Sequence, residues 1–289
     1  MFRFSSYLKK GRMSMKKKKV LITGSTDGIG KKTALKLAEK NYRIMLHGRN
    51  LKKTKKVRKE IIEKTKNTDI DYIVADFESL KQVEKMIFHL NDKYKTIDIL
   101  INNAGVFKKK REITEDGFEK TFQINYLAHF YLTNMLYDLL ENSDNPKVIN
   151  VASVSHNSSL DFDNLQGEKK YSGHDSYARS KLCNIMFTFR MDAKLKEKNS
   201  NIIINCLDPG NINTKLLKKG WGPIGTKPEE GANRVLFVMG IENKSGSYYV
   251  NNRMTSPSKI AMDKAMQKKL WEKSEEMLNG QEIDFESKL

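Results

Sequence analysis

The sequence predicts an α/β protein with a doubly wound parallel sheet in a single domain, on three observations. Short apolar, β-rich runs alternate with helical stretches along the chain, as expected of βαβ units with right-handed crossovers. The first such run leads into a glycine-rich turn, Gly24-Ser-Thr-Asp-Gly28-Ile-Gly30, and then a helix. The 289 residues are enough for one large core, and no linker, low-complexity tract or internal repeat divides them.

Taken in order, residues 20–23 form a short strand that ends at glycine, and residues 29–39 a helix whose apolar positions include Ala34, Leu35, Leu37 and Ala38. A strand over 42–46 precedes a long basic helix over 51–64. Strand 71–75, helix 79–94 and strand 97–101 follow, then a helix over 122–140 and a strand over 148–152. Helix 176–197 and strand 202–207 continue the alternation, and a helix over 258–277 closes the domain. The domain is expected to span residues 19–289, after a flexible basic extension over 1–18.

The formal net charge is +18. A nucleic-acid or anionic-membrane partner is one reading of such a balance. However, the lysines are spread along the chain and no basic run interleaves aromatics as a stacking platform would. A solvated lysine-rich surface is therefore expected, with no nucleic-acid partner. No stretch approaches the roughly 20 apolar residues of a membrane span. Cys183 and Cys206 stand in unlike contexts with no disulfide framework, which fits a reducing compartment and a cytoplasmic location. Residues 1–19 carry bases and no acid, so they read either as an amphipathic import segment for an organelle or as residues upstream of a start at Met15. His47, His89, His129, His156 and His174 are scattered, and no metal site is expected.

Gly24, Gly28 and Gly30 lie between the first strand and the first helix. Glycines there let backbone approach a pyrophosphate, and the helix N-terminus offers N–H groups and dipole to the phosphates. Ser25, Asp27, Ile29 and Lys31 share this turn and are candidate cofactor contacts. The bland alternative is a helix cap without a ligand. The end of the second strand reads His47-Gly48-Arg49-Asn50, with no acid to hold a ribose 2′-hydroxyl. Arg49 offers a paired-donor contact to a 2′-phosphate, with Lys31 adding charge. This points to NADP(H) over NAD(H), unless Arg49 is merely a surface base. Asp76 follows the third strand and could accept from an adenine amino group. Asn102-Asn103-Ala104-Gly105 follows the fourth strand, where small residues let backbone run beside a cofactor and amides tie adjacent strands; Asn102 and Ala104 are candidate contacts.

Tyr177 and Lys181 are one helical turn apart on one face. An ammonium beside a phenol favours the phenolate and suits the tyrosine to acid–base work. The same lysine can hydrogen-bond a nicotinamide ribose. Ser153 ends a strand, where its hydroxyl could hold a substrate oxygen and steady a developing oxyanion. Asn125 could hold a water that connects Lys181 to solvent. A lone tyrosine-x-x-x-lysine is common on helix surfaces; its place downstream of the glycine turn, the Asn-Asn-Ala-Gly run and Ser153 gives it meaning.

From about residue 18 to 280 the chain resembles the short-chain dehydrogenase/reductase family, whose sheet is the Rossmann fold. The matching stretches are residues 23–30, residues 102–105, Asn125, Ser153, Tyr177 with Lys181, and Pro209-Gly210 followed by Thr214. The resemblance implies a catalytic tetrad of Asn125, Ser153, Tyr177 and Lys181. It also implies nicotinamide contacts from Pro209, Gly210, Ile212 and Thr214. Residues 111–119, 164–168 and 270–274 are similar to the retinol dehydrogenase-like and WW-domain-oxidoreductase-like branch, although no WW domain is present. Ala152 stands where relatives often carry a second serine, and Asp208 where a histidine is common in this branch.

The expected function is NADP(H)-dependent interconversion of a carbonyl and an alcohol, on a lipophilic retinoid- or steroid-like substrate. A non-catalytic nucleotide-binding protein on the same fold, or an isomerase holding its nicotinamide, remains as an alternative. Leu182, Ile185, Met186 and Phe189 read as core packing or a homodimer face, and residues 220–228 around Trp221 as a lid or a plain connection.

Overall fold

The computed structural model describes residues 17–289. The extension expected over residues 1–18 lies outside the described residues except for Lys17 and Lys18, which are already attached. Lys17 pairs with Asp69 at 2.6 Å, and the Lys18 carbonyl accepts from the Arg43 N–H.

The first half alternates as expected: β1 (Lys19–Ile22), α1 (Gly28–Glu39), β2 (Arg43–Gly48), α2 (Leu51–Thr65), β3 (Ile70–Val74), α3 (Leu80–Lys93) and β4 (Ile99–Asn102). Local chemistry starts these helices. The Asp27 carboxylate caps α1 by accepting from Gly28 N–H, and Asn50 caps α2 through Lys53 N–H.

The helix expected over 122–140 is segmented into α4 (Lys120–Phe122), a π-turn (Gln123–Leu127), α5 (Ala128–Met135) and α6 (Tyr137–Glu141). Glu119 caps its start by accepting from Thr121 and Phe122 N–H. The π-turn widens the helix at Asn125, whose side chain is drawn into hydrogen bonds with the Val106 backbone. β5 (Lys147–Val151), α7 (Gly173–Glu197) and β6 (Ile203–Leu207) complete the expected alternation.

Beyond β6 the structure adds elements that the sequence reading passed over: α8 (Lys215–Trp221), α9 (Pro228–Met239), β7 (Ser247–Val250) and β8 (Arg253–Met254). The single closing helix expected over 258–277 is two, α10 (Lys259–Met262) and α11 (Lys264–Asn279). Asp263 breaks them by adopting an extended conformation and capping α11 through Ala265 and Met266 N–H.

The strands order β3-β2-β1-β4-β5-β6-β7-β8. All neighbours pair in parallel except β7 and β8. Chain order reverses between β1 and β4, and open α/β sheets bind ligands in the crevice outside such a switch point. Strand alternation divides the core between the two faces. Val20, Ile22, Ile44, Leu46, Ile99 and Ile101 pack beneath α1, α2 and α9, while Leu21, Met45, Leu100 and Val148 pack beneath α3, α5, α7 and α11. Leu182, Cys183, Ile185 and Met186 of α7 belong to this second core.

Candidate active site

Two adjoining cavities open at the C-terminal ends of the strands, of about 380 and 320 Å³. Ile29, Asn103, Gly105, Thr214 and Leu216 line both, so together they form one continuous groove.

The floor of the larger cavity is the turn after β1. Gly24 has φ +63°, and a Cβ there would come 2.8 Å from the Ala104 Cα, so only glycine lets the loops after β1 and β4 touch. Thr23 fastens them: its hydroxyl accepts from Asn103 and Ala104 N–H at 2.8 and 2.9 Å. The same hydroxyl meets His129 Nε2 at 2.9 Å, and His129 Nδ1 faces the Asn125 carbonyl at 3.1 Å. Nδ1 therefore donates and Nε2 accepts. Burial lowers the His129 pKa to about 3, with the Lys181 charge assisting, so the ring stays neutral. His47 is similar: Nδ1 accepts from Gly24 N–H, Nε2 donates to the Ala75 carbonyl, and burial lowers its pKa to about 4.

The expected contacts Gly24, Asp27, Gly28, Ile29, Arg49, Asp76, Ala104 and Thr214 line this cavity. Others are placed elsewhere. The Ser25 hydroxyl turns away to bond the His47 backbone, and Lys31 pairs with Glu60 at 2.7 Å on the far side of α1. Gly30 is buried against Asn103, and Asn102 bonds Thr133 and Asn150 between β4 and β5. None of these four lines either cavity.

The groove also holds residues that sequence reasoning missed, notably Thr26, His47, Lys53, Phe77, Glu78, Phe107, Lys215 and Lys219. Lys53 had a signal: it follows Arg49 by four residues at the start of α2. Asp27 joins Lys53 at 2.9 Å to Lys215 of α8 at 3.1 Å. Burial works to raise the Asp27 pKa, but these ammonium groups and Gly28 N–H hold it down at about 2. Arg49 reaches Glu78 at 3.3 Å and Asp76 at 3.8 Å.

Ser153, Tyr177 and Lys181 line the smaller cavity together with Pro209, Gly210 and Ile212. Ser153 follows β5; Tyr177 and Lys181 stand one turn apart on α7. Lys181 Nζ donates to the Val151 carbonyl at 2.7 Å and lies 5.6 Å from the centroid of the Tyr177 ring. Burial lowers the Lys181 pKa to about 8, with the Asp208 carboxylate opposing. For Tyr177 burial dominates and holds the phenol above its ordinary pKa; the Ser153 hydroxyl pulls down and Asp208 pushes up. The phenol therefore stands protonated at neutral pH.

Asn125 is fully buried and lines neither cavity. Its amide bonds the Val106 backbone in both directions and the Ser180 hydroxyl, while its carbonyl receives Asn184 and His129. The structure places it as a brace between the loop after β4 and α7. His156 Nδ1 bonds the Ser153 carbonyl at 2.9 Å, and its Nε2 accepts from Ser258 N–H.

The stretch expected to be a lid or a connection contains α8. Trp221 lies 5.3 Å from Tyr177 and 5.2 Å from Phe107, ring centre to ring centre. His174 Nε2 bonds the Gly220 carbonyl at 3.0 Å. At the base, Thr226 N–H donates to the Asn211 carbonyl and Asn213 N–H to the Thr226 carbonyl.

The turn suits a dinucleotide: Gly28 and Ile29 open a 12-residue helix onto the groove, with lysines beside it. A doubly wound sheet with this groove and this serine–tyrosine–lysine cavity defines a dinucleotide-dependent oxidoreductase. A family model described as short chain dehydrogenase matches residues 18–221, and the chain belongs to that family. It is 35% identical to human polyprenol dehydrogenase over 89% of this chain and 84% of that protein. It is 33% identical to human retinol dehydrogenase 13 over 89% of this chain and 83% of that protein. A short chain dehydrogenase from Shigella flexneri 2a str. 301, solved as a complex with NADP, shares the fold with a TM-score of 0.66 and 22% identity, covering 81% of this chain and 96% of that one. Among the described residues no helix is long and apolar enough to cross a membrane, and no cluster of three or more His, Cys, Asp or Glu could hold a metal ion.

Proposed function

We propose that the chain interconverts a carbonyl and an alcohol on a lipophilic substrate, with NADP(H) as its preferred cofactor. The observation that carries this reading is the continuity of the groove: the glycine turn and Arg49 lie at one end, and Ser153, Tyr177 and Lys181 at the other. The nicotinamide, when bound, supplies or accepts the hydride at the substrate carbon.

In the reducing direction Tyr177 donates its phenolic proton to the carbonyl oxygen, the form in which burial already holds it. Ser153 donates a hydrogen bond to the same oxygen as charge develops. Lys181 holds the cofactor ribose. Arg49, with Lys53, holds the 2′-phosphate by exchanging its carboxylate partners for the phosphate. Val154, Leu216, Leu217, Trp221 and Ile224 give the smaller cavity an apolar wall, which supports a substrate with a hydrocarbon body. The names of the polyprenol and retinol relatives support the same class. Cys183 and Cys206 are free and buried, which supports a reducing, cytoplasmic setting.

The test is NADPH and NADH oxidation against a panel of carbonyls that includes a retinal and a prenal, with wild type beside Tyr177→Phe. Turnover with NADPH that falls at least a thousandfold in the variant, with cofactor affinity kept, is the expected result. Tight NADPH binding with no turnover on any carbonyl would favour a non-catalytic nucleotide-binding protein.

A further inference from the structure

We propose that Asp208, held by Arg234, is a positioning residue that joins the two backbone segments flanking the reactive cavity and whose carboxylate acts on Tyr177 and Lys181. The proposal rests on the oxidoreductase reading above and deepens it.

Asp208 follows β6 directly, and its side chain is 5% exposed. One carboxylate oxygen accepts from Val154 N–H at 3.0 Å, beside Ser153. The other accepts from Gly210 N–H at 2.8 Å, beside Pro209. Ser153, Val154, Pro209 and Gly210 all line the smaller cavity, so one side chain spans from the serine wall to the Pro-Gly wall. The Asp208 backbone is itself anchored, its N–H donating to the Tyr249 carbonyl of β7 at 2.9 Å.

A buried carboxylate without a cation would be costly. Arg234 of α9 supplies one, with Nη1 at 3.4 Å from Asp208. Gly210, at φ +85°, leaves the space: a Cβ there would come 2.4 Å from Arg234 Nη1. A neutral histidine at position 208 could not accept from two backbone N–H groups while pairing with a cation, since its ring has a single acceptor nitrogen. An acid here therefore goes together with an arginine on α9.

The groups around the carboxylate are Tyr177 and Lys181 on α7, Tyr248 on β7 and Arg234 on α9, and Cys206 of β6 acts on Tyr248. Beyond them His129 faces Lys181 and His156 faces Tyr248. Tyr248 and Cys206 are protonated at neutral pH, and burial keeps His129 uncharged. The Asp208 charge therefore acts chiefly on Tyr177 and Lys181, favouring the protonated form of each. Both the ammonium that would hold the ribose and the phenol that would donate are stabilised by one group touching neither cofactor nor substrate.

The experiment uses Asp208→Asn, which keeps the size, removes the charge and, having one acceptor oxygen, gives up one of the two backbone hydrogen bonds, and Arg234→Gln, which keeps the carboxylate and both of its bonds and removes its cation. NADPH affinity is titrated against pH by fluorescence, which requires no turnover. The alkaline loss of affinity, expected near the Lys181 value of about 8, should move down by about one pH unit in Asp208→Asn. It should move up in Arg234→Gln. A merely structural role would weaken binding at all pH values without moving this limb in opposite directions. Hydrogen exchange at the Val154 amide should stay slow in the wild type and quicken in Asp208→Ala. If Asp208→Asn does not fold, the direction of the limb in Arg234→Gln decides. Limbs that coincide with wild type or move the same way, or an unchanged Val154 amide, would overturn the proposal. Loss of carbonyl turnover in the wild type would instead count against the oxidoreductase reading and leave these binding readouts interpretable.

Discussion

At the scale of single residues, ionisation sets what the site can do. Tyr177 is held protonated by burial and Lys181 has a pKa of about 8. Affinity for NADPH should therefore fall above about pH 8 in the wild type. Lys181→Met should remove that pH dependence and lower affinity about tenfold at pH 7; equilibrium binding checks both. If Arg49 holds the 2′-phosphate as proposed, Arg49→Asp should weaken NADPH more than NADH by roughly one to two orders of magnitude, since it would replace the guanidinium fork with a like charge. Equal losses for both cofactors would show that Arg49 does not read the 2′-phosphate. The structure gathers Tyr177, Lys181 and Ser153 at one cavity and sets Arg49 on the other, the grouping that residue type and spacing lead one to expect. Ser25, Lys31 and Asn125 do not line the groove, because hydrogen-bond partners distant in sequence, His47, Glu60 and Val106, decide where their side chains go.

At the scale of elements, α8 holds the most functional weight for its length. It is clamped by Trp221 against Tyr177 and Phe107, by His174 on Gly220, and by Lys215 on Asp27. Trp221→Ala should loosen it, raising KM for a bulky carbonyl several-fold more than it lowers kcat, and speeding proteolytic cleavage within 215–226. An unchanged KM with unchanged cleavage would mean that the aromatic contacts do not close the site. α8 and α9 carried signals that the sequence reading did not use: Thr214 before α8, Pro228 with Glu229 and Glu230 opening α9. The strands β1 to β6 were readable because each is a compact apolar run. β7, Ser247–Val250, is as short as β1 and β4 but reads Ser-Tyr-Tyr-Val, without their aliphatic run, and gains its partner from β6.

At the scale of the whole molecule, acid should unfold the protein through its buried neutral histidines. His47 and His129 have pKa values depressed to about 4 and about 3 in the folded state. Both regain an ordinary value of ~6.5 on unfolding. The unfolded chain therefore takes up protons first, and stability falls as pH drops below ~6.5, on the order of 1 kcal/mol per pH unit per histidine until the folded values are reached. Urea melts at successive pH values should show this slope, and His129→Asn should remove about half of it. A flat profile between pH 6.5 and 5 would contradict the assignment of neutral rings. The net charge of +18 adds self-repulsion, so moderate salt should stabilise the fold while weakening NADPH binding.

The pairing of Asp27 with both Lys53 and Lys215 has a kinetic meaning. Lys215 begins the same short helix that shields Tyr177, so the two ends of the groove share one element. A dinucleotide whose phosphates drew Lys215 from Asp27 would pull on α8 and so on Trp221, which already walls the smaller cavity. A carbonyl arriving first would meet a helix still fastened to the floor of the groove. The two molecules should then enter in a compulsory sequence and leave in reverse, with the oxidised and reduced cofactors the one pair that compete for the free enzyme in product-inhibition plots. In Asp27→Asn the early fastening is gone, and the sequence of entry should become random.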